Sequence, residues 1–340
     1  MAPEIEFGQR SGLRIPRVNM GAMRFPEDPD EAVALIRHAI DSGLVYIDTS
    51  RGYGDSEKKL ARALENGYRE KVILSTKWAP WVTKIEADDS ASADCVVKRI
   101  GESRGRLAVD VLDLDQVWNI KNDETYEPAV RPVRFVDGLR KARDLGLIRH
   151  LGATSHYAPE KLLARLPEMD WCEVLLVTYN VLNRAYAPVL SRARELGIGT
   201  IVMNPVAGGR FGENSSVFAP LLEEVGAVSC ADLAIRYVLS NPDVDTIISG
   251  IHRISDVDDT LASAARTVFT AEPLRRIDLF IAALSSENVG FCTSCGYCMP
   301  CPEDVNIPKV MEAVYQDRFL GFREGAENLY RQIARARHIP

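Results

Sequence analysis

One alternation, repeated eight times between residues 18 and 265, constrains this 340-residue chain more than any other feature. Short β-branched runs fall at residues 18–23, 45–50, 72–78, 111–120, 150–155, 172–179, 200–204 and 246–250. Amphipathic stretches with helical spacing answer them at 31–42, 56–66, 91–106, 134–145, 159–166, 188–196, 230–240 and 255–265. Strands that are apolar on both faces suit a parallel sheet covered by helices. Eight strand-helix units in about 250 residues are what a (β/α)8 TIM barrel requires. Pro159 and Pro188 sit at first-turn positions, where the missing N–H would have no helical partner anyway. Gly43, Gly67, Gly146 and Gly197 fall just past helix ends, where a left-handed residue is often needed. Residues 6–17, with the turn signal Arg10-Ser11-Gly12, read as an N-terminal β-hairpin ahead of the barrel.

The pattern changes after about residue 270. Helices are expected at 273–284, 308–315 and 325–337, with a cysteine-rich run between the first two. The expected division is an α/β barrel over residues 1–268 and a small C-terminal helical module over 269–340. Of the seven cysteines, Cys95, Cys172 and Cys230 stand singly in apolar stretches and read as small buried hydrophobes. Cys292, Cys295, Cys298 and Cys301 fall within ten residues. In a reducing compartment such a cluster reads as metal binding, not as disulfides. Four thiolates with two-residue spacers can wrap a 4Fe–4S cluster, although the bacterial ferredoxin run has a three-residue last spacer. A structural zinc site is the alternative, and those usually separate two Cys-x2-Cys pairs by a longer loop.

The net charge of −7 argues against nonspecific nucleic-acid binding, which needs a basic surface. No run of about 18 apolar residues marks a membrane span. Residues 1–10 are polar and acidic, without an apolar signal core, so the expected location is the cytoplasm. The expected partner is a small-molecule substrate; a redox partner for the cluster and a second copy of the chain stay open.

In a TIM barrel the chemistry sits at the C-terminal ends of the strands. Asp48 ends the second strand, Tyr53 follows in the next loop and Lys77 ends the third strand. These three can make a general acid. A free phenol has a pKa of about 10. A nearby ammonium lowers it, and a carboxylate holds the ammonium charged and oriented. Tyr53 would then protonate a carbonyl oxygen as a hydride reaches its carbon. The alternative is a strand-end salt bridge beside a loop tyrosine.

The run Asp48-Thr49-Ser50-Arg51-Gly52-Tyr53-Gly54, followed by Ser56-Glu57, resembles the aldo-keto reductases, and the resemblance extends over about residues 4–266. Gly152-Ala153-Thr154-Ser155, Tyr179-Asn180, Pro205-Val206-Ala207-Gly208-Gly209 and Ser249-Gly250-Ile251 resemble the family's cofactor-side segments. The resemblance implies an NAD(P)-dependent oxidoreductase acting on a carbonyl or hydroxyl, with a sugar or polyol as the expected substrate; Arg253, which could pair with a 2′-phosphate, leans the cofactor to NADP. It implies Asp48, Tyr53 and Lys77 as catalytic residues. It places Ser155, His156, Met203, Pro205, Gly250, Ile251, Arg253 and Asp259 around the cofactor. Ser155 would touch the nicotinamide amide, and residues 250–253 would lie by the pyrophosphate and adenosine ribose. Four family positions are changed. Trp118 stands at the fourth catalytic position, where the family has a histidine at the end of strand four. His156 replaces an asparagine, and Leu176 a glutamine. Thr260 stands where an asparagine is usual. The cysteine run, with Pro302 and Val305-Asn306-Ile307-Pro308, resembles the C-terminal ferredoxin-like 4Fe–4S module of one subgroup. Two rival functions remain: a tightly held nicotinamide used for a net non-redox epimerisation or elimination, and a non-catalytic binding or electron-relay protein.

Overall fold

The computed structural model describes residues 4–130, 135–286, 298 and 301–336. Strands β1 (Glu4–Glu6) and β2 (Arg14–Pro16) pair antiparallel as the expected hairpin. The next eight strands are β3 (Val18–Gly21), β4 (Tyr46–Asp48), β5 (Ile73–Trp78), β6 (Leu112–Ile120), β7 (Ile148–Ser155), β8 (Val174–Thr178), β9 (Gly199–Met203) and β10 (Thr246–Gly250). They run parallel and close on themselves through the β10–β3 pair, which makes an α/β barrel of the TIM type. The helices are α1 (Pro29–Asp41), α2 (Ser56–Ala63), α3 (Ala93–Leu107), α4 (Asp123–Val130), α5 (Phe135–Asp144), α6 (Pro159–Arg165), α7 (Ala187–Glu195), α8 (Ala219–Val225), α9 (Cys230–Leu239) and α10 (Ile254–Ala265). Three more follow the barrel sequence: α11 (Ala271–Ser286), α12 (Ile307–Arg318) and α13 (Arg323–Ala336).

Local chemistry explains the elements. Asp28 caps α1 by accepting from the N–H groups of Asp30 and Glu31 at 2.8 and 3.0 Å, and Pro29 opens the helix. Ala32, Leu35, Ile36, Ala39 and Ile40 then fall on one buried face at three- and four-residue spacing. All four glycines expected at helix ends take positive φ. Helices α4 and α8 were not expected. They are eight and seven residues long, and α4 carries Pro128 inside, so neither leaves a long apolar period in the sequence. Cys172 and Cys230 are buried, as expected, and burial pushes the Cys172 thiol up to about 12. Cys95 is only half-buried, with its thiol 3.5 Å from Asp89 Oδ1. Among the described residues no helix is long and apolar enough to cross a membrane.

The chain forms two compact units. One comprises Met1–Tyr179, Asn183–Pro205 and Asn241–Ala265, and holds every barrel strand. Its interior is filled from below by the hairpin. Phe7 and Ile15 are fully buried in one cluster with Tyr46, Leu114, Val174, Leu176, Ile201 and Ile248. The Phe7 and Tyr46 rings meet edge to face at 5.7 Å. The second unit comprises Asn180–Leu182, Val206–Ser240 and Arg266–Pro340. Within it, Phe211, Phe218 and Phe322 form a ring cluster with centroids 5.1 to 5.6 Å apart. Glu213 accepts from the N–H groups of Glu324 and Gly325, placing a carboxylate at the N-terminus of α13.

The plug depends on one close backbone approach. A Cβ on Gly8 would lie 2.2 Å from the Gly199 nitrogen, and Gly8 has φ +65°. Gly12, with φ +63°, has nothing within 4 Å of a Cβ. Gly12→Ala is therefore expected to cost about 1 kcal/mol, the left-handed strain alone. Gly8→Ala is expected to cost more, on the order of 3 kcal/mol, because strain and collision add. Denaturant unfolding of the two variants checks this; equal losses would show that the approach to Gly199 is not what demands glycine.

Candidate active site

The site is built from the C-terminal ends of three adjacent strands. Asp48 is the last residue of β4 and Lys77 the second last of β5. Register pairs Asp48 with Ser75 and, two residues further along β5, Lys77 with Gln116, so the three polar side chains come from neighbouring strands at the same end of the barrel. Lys77 and Asp48 are an ion pair, with side chains only 2% and 3% exposed. The ammonium also donates to Thr49 O at 2.8 Å. Burial alone would lower the Lys77 pKa, but Asp48 and Tyr53 outweigh it and leave it above the ordinary lysine value. The lysine therefore stays charged.

The loop after β4 is tied to β5. The Arg51 N–H and the Ser50 hydroxyl both donate to Lys77 O, at 3.0 and 3.1 Å. Gly52 N–H donates to Ser50 Oγ and Tyr53 N–H to Ser50 O. This presents the Tyr53 ring to Lys77, whose Nζ lies 4.9 Å from the ring centroid. The expected Asp48–Tyr53–Lys77 constellation is thus assembled. Its electrostatics differ from the expectation in one respect. Burial is the largest influence on the Tyr53 phenol and raises its pKa; Lys77 opposes this, Asp48 adds to it, and the net shift is upward. The ammonium moderates the effect of burial without reversing it.

Trp118 stands beside the tyrosine. The two rings meet edge to face at 5.6 Å with planes at 89°. The indole lies over Gly52, where an added Cβ would sit 2.5 Å from Cη2 and Cζ3. The strand that carries Trp118 shifts register between Val117 and Ile120, with Asn119 at φ 61°. Such bulges re-aim a side chain. The indole N–H of Trp81 fastens this one by donating to Trp118 O at 2.9 Å and Asn119 O at 3.2 Å.

Gln116 was missed in the sequence. It is fully buried, and its amide nitrogen donates to Asp48 Oδ1 and Ser75 Oγ, both at 2.7 Å. Its carbonyl oxygen has no hydrogen-bond partner among the described residues. A buried unpaired acceptor costs about 1–3 kcal/mol. The signal was available: Gln116 is two residues before Trp118 on a strand, hence on the same face.

The remaining candidates ring the same end. Ser155, the last residue of β7, is fully buried; its hydroxyl donates to Ile120 O at 2.8 Å and accepts from Tyr157 N–H at 3.1 Å. His156 follows it and is exposed as a whole, yet partial desolvation of its ring holds the pKa below the ordinary histidine value. Met203 ends β9 half-buried, and Pro205 is buried just beyond. Gly250 ends β10 exposed, Ile251 is fully buried, and Arg253 is a 78% exposed side chain paired to Asp256 at 3.3 Å. Asp259 is exposed on α10. Leu176 lies in the apolar barrel core. Cys292 and Cys295 lie outside the described residues; Cys298 is exposed and Cys301 half-buried.

The Aldo/keto reductase family profile matches residues 17–282. The oxidoreductase YrpG of Bacillus subtilis is 27% identical over 319 residues, covering 80% of this chain and 94% of its own length. The 6-dehydroglucose reductase of Novosphingobium aromaticivorans is 29% identical over 220 residues, covering 59% of this chain and 68% of that protein. The holo form of aldo-keto reductase AKR11C1 from Bacillus halodurans superposes with a TM-score of 0.70 at 22% identity, over 82% of this chain and 96% of that one. With the family profile covering most of the chain and Tyr53, Lys77 and Asp48 brought together at the barrel mouth, the protein belongs to the aldo/keto reductase family and is an NAD(P)-dependent oxidoreductase.

Proposed function

We propose that this enzyme interconverts a carbonyl and a hydroxyl on a sugar or sugar-derived substrate, with NADP as the cofactor and an accessory 4Fe–4S cluster at the C-terminal cysteines. The observation that carries the reading is the Tyr53 phenol set against the buried Lys77 ammonium, with Trp118 as a flat wall beside it. The sugar class has support from relatives named for 6-dehydroglucose, L-galactose and L-glyceraldehyde 3-phosphate. An indole offers a sugar ring an apolar face to stack on. NADP has support from a Klebsiella pneumoniae aldo/keto reductase in complex with NADP, of the same fold at TM-score 0.66.

The bound nicotinamide supplies or accepts the hydride. The protein's own residues do the rest. The cofactor would be held by Ser155, His156, Met203, Pro205, Gly250, Ile251, Arg253 and Asp259, which come from the C-terminal ends of β7, β9 and β10 and the segments after them. The raised pKa keeps the Tyr53 phenol protonated at neutral pH, ready to donate to a carbonyl oxygen. As the phenolate forms, the Lys77 ammonium stabilises it, and Asp48 keeps that ammonium charged and in place. Trp118 has one N–H donor and no acceptor, so it cannot relay a proton as a histidine can.

The cluster reading rests on the spacing of Cys292, Cys295, Cys298 and Cys301. Protein prepared without oxygen is expected to be brown and to hold about four iron per chain; stoichiometric zinc without iron would overturn this part.

Tyr53→Phe is expected to lower kcat for sugar-aldehyde reduction by about 10²-fold or more while the NADPH Kd stays within about twofold, because the phenol acts in the transition state. A near wild-type rate would place the acid elsewhere, with His156 the first residue to examine. Trp118→His is expected to raise the rate on small aldehydes about tenfold or more, by restoring an imidazole donor at the barrel mouth. Steady-state kinetics over an aldehyde panel read this out; unchanged rates would mean that Trp118 does not meet the substrate.

A further inference from the structure

We propose that Gln116 is a positioning residue of this active site, acting on Tyr53 through the Asp48–Lys77 pair. The inference rests on the reading of Tyr53 as the acid.

A carboxylate has two oxygens and one torsion that decides where they point. In Asp48, Oδ2 faces the Lys77 ammonium. The other oxygen, Oδ1, accepts from Gln116 Nε2 at 2.7 Å. The same nitrogen gives its second hydrogen to Ser75 Oγ at 2.7 Å. An amide nitrogen has two donors, and here both are used. The reverse orientation of the amide would set two acceptors against each other at that distance, so the assignment follows from the contacts. The amide therefore clamps the carboxylate torsion, with Ser75 as its second anchor.

The clamp reaches the tyrosine through two short links. Asp48 Oδ2 fixes Lys77, which is also held by Thr49 O at 2.8 Å. Lys77 Nζ stands 4.9 Å from the Tyr53 ring centroid. The three groups come from neighbouring strands in register, so the distances are set by the sheet. The placement of the amide does nothing for its own carbonyl oxygen, which is left without a hydrogen-bond partner among the described residues. An apolar residue of similar size would avoid that orphan, so the amide stands here for its donors.

Gln116→Met keeps the volume and removes both donors. It is expected to lower kcat for the wild-type aldehyde substrate about tenfold or more, with the NADPH Kd, read by fluorescence titration, within about twofold. In an Asp48→Asn background the same substitution is expected to cost less than about twofold, because residues acting as a unit are not additive. Losses that multiply in the double variant, or an unchanged kcat in Gln116→Met, would overturn the proposal. A second measurement is free of turnover. The Gln116 side-chain NH2 should give a slowly exchanging NMR signal that moves on Asp48→Asn. A signal that exchanges like a surface glutamine, or ignores that substitution, would overturn the contact itself. Tyr53→Phe run alongside keeps the two failures apart: if it retains its rate, the acid assignment falls, while the NMR signal still decides whether Gln116 clamps Asp48.

Discussion

A lysine ammonium and an aspartate carboxylate buried inside a closed barrel set the terms for the rest of the structure. Taking such charges out of water costs several kcal/mol per ion even after relaxation. The pair survives only if its remaining donors and acceptors are filled. Thr49 O and Gln116 Nε2 fill them, and Asp48, Lys77 and Gln116 come from three strands in a row. Barrel closure keeps those strands in register. The Phe7 and Ile15 plug fills the interior below the pair. The hairpin, far from the chemistry in sequence, thereby helps to exclude water from it.

The same burial shapes Tyr53, the proposed acid. A phenol in this environment is pushed toward its neutral form, and the ammonium pulls it the other way. The net upward shift means that the proton is present over the neutral range and leaves only when negative charge develops on a substrate oxygen. In the proposed reaction the ammonium would act late, on the phenolate, where a positive charge is worth most.

Much of this was legible in the sequence because strand-helix alternation and strand-end polar residues leave period-2 and period-3.6 signals. All eight barrel strands were marked, and Asp48, Tyr53, Lys77 and Trp118 do meet. What was hidden has physical reasons. Strand β6 was read as apolar on both faces, yet Asp113 and Asp115 alternate with Leu114 and Gln116. Asp113 is answered by Arg69 at 2.8 Å, and Asp115, buried and near Glu57, is held well above the ordinary carboxyl pKa. Such partners lie tens of residues away, so no local window shows them. Gln116 looked like one polar residue in a β run until the register set it beside Asp48. Helices α4 and α8 are too short to establish a period. The tie between residues 206–240 and those after 266 in one compact unit is long-range in the same sense.

The wall at Trp118 is encoded in several places at once, and that bears on how this site departs from the usual imidazole. The indole needs Gly52, because any Cβ there would sit 2.5 Å from its ring. It needs the shift in β6, which requires Asn119 to hold φ 61°, a conformation asparagine tolerates better than most residues. It needs Trp81 to donate to both carbonyls of the shifted segment, and Thr154 Oγ1 to accept from Asn119 N–H at 2.7 Å. A lone exchange of histidine for tryptophan on an unaltered strand would lack these supports. The backbone, the small residue beneath and the tryptophan behind are consistent with one another, which makes the flat aromatic face a built feature of the barrel mouth. Under the function proposed above, a barrel mouth so constructed would favour ligands that present an apolar ring face to Trp118 while offering one oxygen to Tyr53, and a pyranose or furanose ring meets both demands.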